Sequence, residues 1–286
     1  MCAFLQLLLR STRIVWDGAR GRITLYCQFM PESRQTYMDP TVLVRSFGVT
    51  LTNMALIPPH APGWHELIYA TQGVLTVRTD QAAWVLPPHR AVWIPQGIQH
   101  RLEMTGKVAL RNLYVRADIR PAGWAPPQCC VVNVTGLLRE IIVRTIEWSV
   151  LDTRKPEQRR LIGILLDELK VLHTVPLQLP APRDERARRF AALATESGGA
   201  STPLPKLLRA CGASRRTMER LFQEETAMSL GHWLRRQKLL QSLKLLAAGR
   251  GVQDIAEELG YQSTSAFIAM FRRELGETPG RYFDPE

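Results

Sequence analysis

Cysteine is scarce and unpatterned in this 286-residue chain: five residues, Cys2, Cys27, Cys129, Cys130 and Cys211, with no C-x-x-C spacing. Such a set offers neither a disulfide framework nor a zinc knuckle, and it suits a reducing cytoplasm. Long hydrophobic runs are missing too. The greasiest stretch, "MCAFLQLLLR" at the start, holds about eight apolar residues with no basic segment before it, too short for a bilayer span and poor as a signal peptide. Charge is not concentrated either: of the net +11, residues 183–286 carry +4 and residues 1–182 carry +7. The excess points to an anionic partner, nucleic acid first, without locating its site. What is present is 45% hydrophobic content, ample for packed cores, and a length that suits about two domains.

The pattern changes along the chain. Residues 1–37 fit no domain pattern and read as an extension, disordered or a misassigned start. Residues 38–118 hold short β-rich runs ("TVLVRSFGVTL", "LIYATQGVLTVRT", "AAWVLPP", "AVWIPQG", "KVALRNLYV") between Gly, Pro, Asp and Gln turns, which predicts a small antiparallel barrel or sandwich. Residues 119–182 form a Pro-rich linker with two helices. The first buries Leu137, Leu138, Ile141, Ile142 and Ile146; the second starts at Pro156 and buries Leu161, Ile164, Leu165 and Leu169. These helices either cover the barrel or pair with a second copy. Residues 183–286 read as seven short helices beginning near Asp184, Leu204, Ser214, Ser229, Val252, Ser263 and Thr278, several with a side chain able to cap the first turn.

That last region repeats itself. "SRRTMERLFQEETAMSLGHW" returns 49 positions later as "STSAFIAMFRRELGETPGRYF": Ser214 aligns with Ser263, Met218 with Phe267, Phe222 with Phe271, Gly231 with Gly280 and Trp233 with Tyr282. Each copy follows a short apolar segment ending at Gly212 or Gly260, which is helix-turn-helix anatomy, the second helix offering its outward side chains to a major groove. In the first copy Arg215, Arg216 and Arg220 face outward, with Ser214 and Thr217 at the helix start. In the second, Gln262, Ser263, Thr264, Ser265 and Ala269 occupy that place, while Arg272, Arg273 and Arg281 are suited to phosphate. A helix from about Ser229 to Ala248 joins the copies. The plainer alternative is a helical bundle with solvated arginines.

Residues 235–283, with Gly-Tyr, Ser-x-Phe, Phe-Arg-Arg and Thr-Pro-Gly elements in place, resemble the C-terminal signature of AraC/XylS-type bacterial transcription regulators, and the likeness extends over residues 184–283. The resemblance implies a multidomain α and β protein that binds promoter DNA through a double helix-turn-helix and acts on RNA polymerase. Upstream, "PPHAPGWHELIYATQGVL" and "PPHRAVWIPQGIQHRLEM" resemble the two motifs of cupin barrels found in sensing domains of this family. His60 and His100 stand in the cupin positions, Pro62 replaces the second motif histidine, and His65 and Glu66 lie beyond the usual spacing.

Three readings of the barrel remain. His60 and His100 could hold a divalent metal; they could join Trp64, His65, Glu66, Tyr69 and Trp93 around a small-molecule effector; or they could be structural. Vicinal Cys129 and Cys130 suggest either an oxidant sensor or small buried apolar residues. The expected function is an effector-responsive DNA-binding regulator that forms a homodimer if the linker helices pair. The rival is a metal-dependent cupin enzyme fused to a DNA-binding domain.

Overall fold

The computed structural model describes residues 12–17, 22–27, 39–52, 54–57, 63–119, 128–170, 174–175, 177–196 and 202–282. Two compact units emerge: Met1–Thr79 with Leu86–Pro176, and Asp80–Val85 with Leu177–Glu286.

The strands are β1 (Thr12–Asp17), β2 (Arg22–Cys27), β3 (Val42–Thr52), β4 (Met54–Ile57), β5 (Trp64–Arg78), β6 (Ala82–Leu86), β7 (Arg90–Ile94), β8 (Arg101–Arg116), β9 (Cys130–Asn133), β10 (Val150–Asp152), β11 (Thr174–Val175) and β12 (Gln178–Pro180). In the first unit, β8 is the organiser. It pairs antiparallel with β3 from Val44↔Val115 to Thr52↔Lys107, and with β5 from Trp64↔Arg116 onward. β5 continues to β7, β7 to β9 and β9 to β11, all antiparallel. Around Gln72 the β5 register slips. Gly73 (φ +80°) occupies the slip, and a Cβ there would lie 2.3 Å from the Lys107 carbonyl oxygen, so only glycine fits this bulge. Within residues 1–37, β1 and β2 pair antiparallel and β2 runs parallel to β4; the rest of that segment lies outside the described residues.

Two helices cover one sheet face. α1 (Gly136–Trp148) starts where Thr135 Oγ1 accepts a hydrogen bond from Leu138 N, and α2 (Pro156–Lys170) starts at the expected proline. Leu138, Ile141 and Ile142 of α1 and Ile162, Leu165 and Leu169 of α2 pack on Val44, Leu67, Tyr69, Ala91, Trp93, Leu113 and Val115. Covering the sheet is therefore one role of these helices. Two expected core positions are instead exposed: Leu137 (54%) and Ile164 (45%). The stripe facing the sheet runs through 162, 165 and 169 at helical spacing, and Ile164 sits about 200° around from Ile162.

In the second unit β6 pairs antiparallel with β12, and seven helices follow: α3 (Glu185–Glu196), α4 (Leu204–Ala210), α5 (Arg215–Thr226), α6 (Leu230–Ala247), α7 (Val252–Glu258), α8 (Thr264–Leu275) and α9 (Pro279–Tyr282). Each expected start lies within a residue or so of the observed one. Aromatic rings repeat with the chain. Phe222 meets Trp233 edge-to-face at 5.1 Å, and 49 residues later Phe271 meets Tyr282 at 5.4 Å. Trp233 Nε1 also donates to the Pro180 carbonyl (2.9 Å), tying β12 to α6.

Candidate functional site

Both second helices of the repeat begin alike. Ser214 Oγ accepts from Thr217 N and Ser263 Oγ accepts from Ala266 N, each at 3.1 Å, so these two serines are committed to capping. The copies differ in the turn that precedes the helix: α4 and α7 start 48 residues apart but α5 and α8 start 49 apart, because the turn of the second copy, residues 259–263, is one residue longer than residues 211–214. They also differ at the end. Ala227 (φ 55°) and Gly276 (φ 85°) hold equivalent left-handed positions, one with a side chain and one without.

On α5, Met218, Leu221 and Phe222 are buried, which turns Arg216, Arg220 and Gln223 outward at i, i+4 and i+7. The register-equivalent triad on α8 is Ser265, Ala269 and Arg272, all exposed, opposite buried Phe267, Met270 and Phe271. Gln223 was not singled out from sequence, although the 49-residue register that pairs it with Arg272 was available. Arg215 pairs with Glu219 and Arg220 with Glu224, each at 2.8 Å and each on solvent-exposed side chains. Arg273 pairs with Glu274 at 3.2 Å. Thr217 is half-buried, its hydroxyl 2.9 Å from Ser214 Oγ; Thr264 is half-buried, while Gln262 and Arg281 are exposed.

In the first unit, strand alternation divides the expected effector residues. Tyr69 and Trp93 point into the helix-covered core; half-buried His65, on the same side, stacks on Trp93 (4.9 Å) and accepts at Nδ1 from Gln96 N (3.0 Å). Trp64 and Glu66 point to the opposite face, also buried, where the Arg45 guanidinium lies 4.9 Å over the Trp64 ring. There Glu66 meets His100, Nε2 to Oε2 at 3.2 Å, and Asn112 Nδ2 donates to Glu66 Oε1 at 2.6 Å. Asn112 is the residue that sequence reasoning missed; a polar residue within the β8 run of apolar residues was the available signal. His60 lies outside the described residues.

His100 Nδ1 faces the Ile98 carbonyl at 3.1 Å and donates to it. Burial alone would lower the His100 pKa, but the Glu66 charge, its hydrogen bond and the Ile98 carbonyl outweigh it and raise the value above 6.5. The Ile98 carbonyl and the Glu66 carboxylate thus flank the two ring nitrogens. Among the described residues no group of three His, Cys, Asp or Glu side chains could hold a metal ion. Cys129 and Cys130 are pushed up to about 11, chiefly by burial, which keeps both thiols protonated and unreactive near neutral pH.

A duplicated helix-turn-helix with cationic outward side chains, in one chain with a β-sheet domain that holds a buried polar cluster, defines a DNA-binding regulator that carries its own ligand-binding domain. The chain matches the AraC-like ligand binding domain family over residues 51–165 and a helix-turn-helix domain family over 207–284. It is 33% identical over 225 residues to the HTH-type transcriptional regulator NimR of Escherichia coli strain K12, spanning 79% of this chain and 81% of that one. The chain belongs to the AraC family of transcription regulators. Among solved structures it is similar to the DNA-binding domain of AdpA in complex with a target DNA (30% identity, 35% of this chain and 91% of that one, TM-score 0.32). It is also similar to unsaturated fatty acid-bound ToxT from Vibrio cholerae (11% identity, 89% and 97%, TM-score 0.35). Among the described residues no helix is long and apolar enough to cross a membrane.

Proposed function

We propose that this cytoplasmic regulator grips one asymmetric promoter site with both helix-turn-helix units and acts on RNA polymerase there, a small molecule in the N-terminal domain setting its activity. The observation that carries the reading is α6. It is an unbroken helix of 18 residues between the two units, capped by Ser229 and ended at Ala248. At about 1.5 Å per residue it spans roughly 27 Å, of the order of the roughly 34 Å between successive major-groove faces on one side of B-DNA. Arg216, Arg220 and Gln223 read bases in the first groove. The Ser265–Ala269 face reads shape in the second, and Arg272, Arg273 and Arg281 hold phosphates. The exposed Leu137 and Ile164, on the outer surfaces of α1 and α2, favour pairing with a second copy. The relatives are regulators, and no catalytic step is assigned.

The test is one alanine inserted after Arg235. Leu230 and Trp233, upstream, belong to the core of the first unit, whereas buried Leu239, Leu240 and Leu243 lie downstream and outside it. The insertion turns the second unit by about 100° while leaving both cores intact. A footprint of about two turns should shrink to one. An unchanged footprint with full helicity would show that α6 is not the spacer.

A further inference from the structure

The cluster on the sheet face away from the helices is unevenly satisfied. Asn112 is 1% exposed. Its Nδ2 must be the group facing Glu66, because a carboxylate only accepts; Oδ1 therefore points the other way, and among the described residues it has no hydrogen-bond partner. The strand pairing sets apolar side chains beside it. Asn112 lies opposite Phe47 on β3 and Ile68 on β5, and Ile68 lies opposite Val92 on β7. Buried polar groups are seldom left unpaired, and each one that is requires an explanation, a bound ligand among them.

We propose that Asn112 Oδ1 anchors the effector, and that the end of the effector reaching it is a neutral N–H or O–H donor on a largely apolar body. This rests on the ligand-binding role of the N-terminal domain and adds the chemistry. A carboxylate at that end would face a carbonyl oxygen with the Glu66 carboxylate behind it. An ammonium would have to share the Glu66 carboxylate with His100, and it would share the face with the Arg45 guanidinium. Phe47, Ile68 and Val92 suit a ring or short hydrocarbon beside the donor. Glu66 and His100 act as positioning residues, holding the Asn112 amide so that its oxygen faces the ligand.

Matched fragment triplets test this: a primary amide, its N,N-dimethyl amide and the corresponding carboxylate, each on the same aryl or alkyl body, titrated against the full chain by saturation-transfer NMR. The primary amides should bind about tenfold or more tightly than their partners, since a site built to pair a donor rejects the analogue lacking it. Asn112→Leu should abolish that preference. Should the variant fail to fold by circular dichroism, the amide against dimethylamide ratio on the unaltered chain still decides. Binding without amide preference, a preference for carboxylates, or a preference that survives in folded Asn112→Leu would each overturn the Asn112 assignment while leaving a ligand domain. Absence of binding by every triplet would overturn the proposal together with the ligand-binding reading of this face.

Discussion

Three arginines stand on the outward side of α5, and their surroundings make them unequal. Arg215 and Arg220 are held by Glu219 and Glu224 at 2.8 Å, whereas Arg216 has no ion pair among the described residues. An exposed i,i+4 pair contributes about 0.3–0.5 kcal/mol, a factor of about two in binding if it must open. A bidentate contact to guanine discriminates by about 1–3 kcal/mol, or roughly 5- to 150-fold. The ion pairs therefore yield to DNA, but Arg216 docks without opening one. By fluorescence anisotropy at fixed salt, Arg216→Ala should lose roughly 5- to 150-fold on the cognate promoter and much less on random DNA. Glu219→Gln should strengthen binding to both DNAs by about twofold or more, because it frees Arg215 and removes a negative charge near the phosphates. Equal losses by Arg216→Ala on cognate and random duplexes would refute base reading by this residue. Weakened binding in Glu219→Gln would refute the view that its carboxylate only competes.

Two further outcomes follow from local geometry. Ala227 sits in a left-handed conformation that costs an L-residue roughly 1–2 kcal/mol, partly offset by the unfolded-state freedom of glycine; Ala227→Gly should raise the unfolding midpoint of the C-terminal transition by roughly 2–4 °C in calorimetry, and a drop would contradict the strain. Because the His100 pKa is raised in the folded protein, the contribution of its pair with Glu66 is fully present below about pH 6.5 and is lost as pH climbs through the folded value. The stability gap between the native chain and His100→Gln should accordingly narrow at alkaline pH, and a gap that widens would reverse the assignment.

Much of this was readable in the residues. The seven C-terminal helices follow from caps and apolar spacing, and the 49-residue register aligned Phe222 with Phe271 and Trp233 with Tyr282, the residues that meet as aromatic pairs within each copy. The N-terminal site was less legible, for a physical reason. "WHELIY" packs candidate residues side by side, but a strand sends His65 and Tyr69 to one face and Trp64 and Glu66 to the other, and a motif read as a string does not separate them. Asn112 stayed hidden because its partner Glu66 lies 46 residues away, joined only by the pairing of β5 with β8. The misplacement of Ile164 was a matter of phase: with Leu161, Ile162, Ile164 and Leu165 all apolar, several helical stripes compete, and the sheet selected one.

The two outward triads, Arg216/Arg220/Gln223 and Ser265/Ala269/Arg272, share a scaffold but differ at every position. A symmetric dimer on a palindrome looks the same from left and right, so the bound complex cannot say on which side the gene lies. A single chain whose two readers differ has a front and a back. Once seated, it points along the duplex, and every surface fixed to its DNA-binding unit is carried to a defined side of the site, which turns a binding event into a direction.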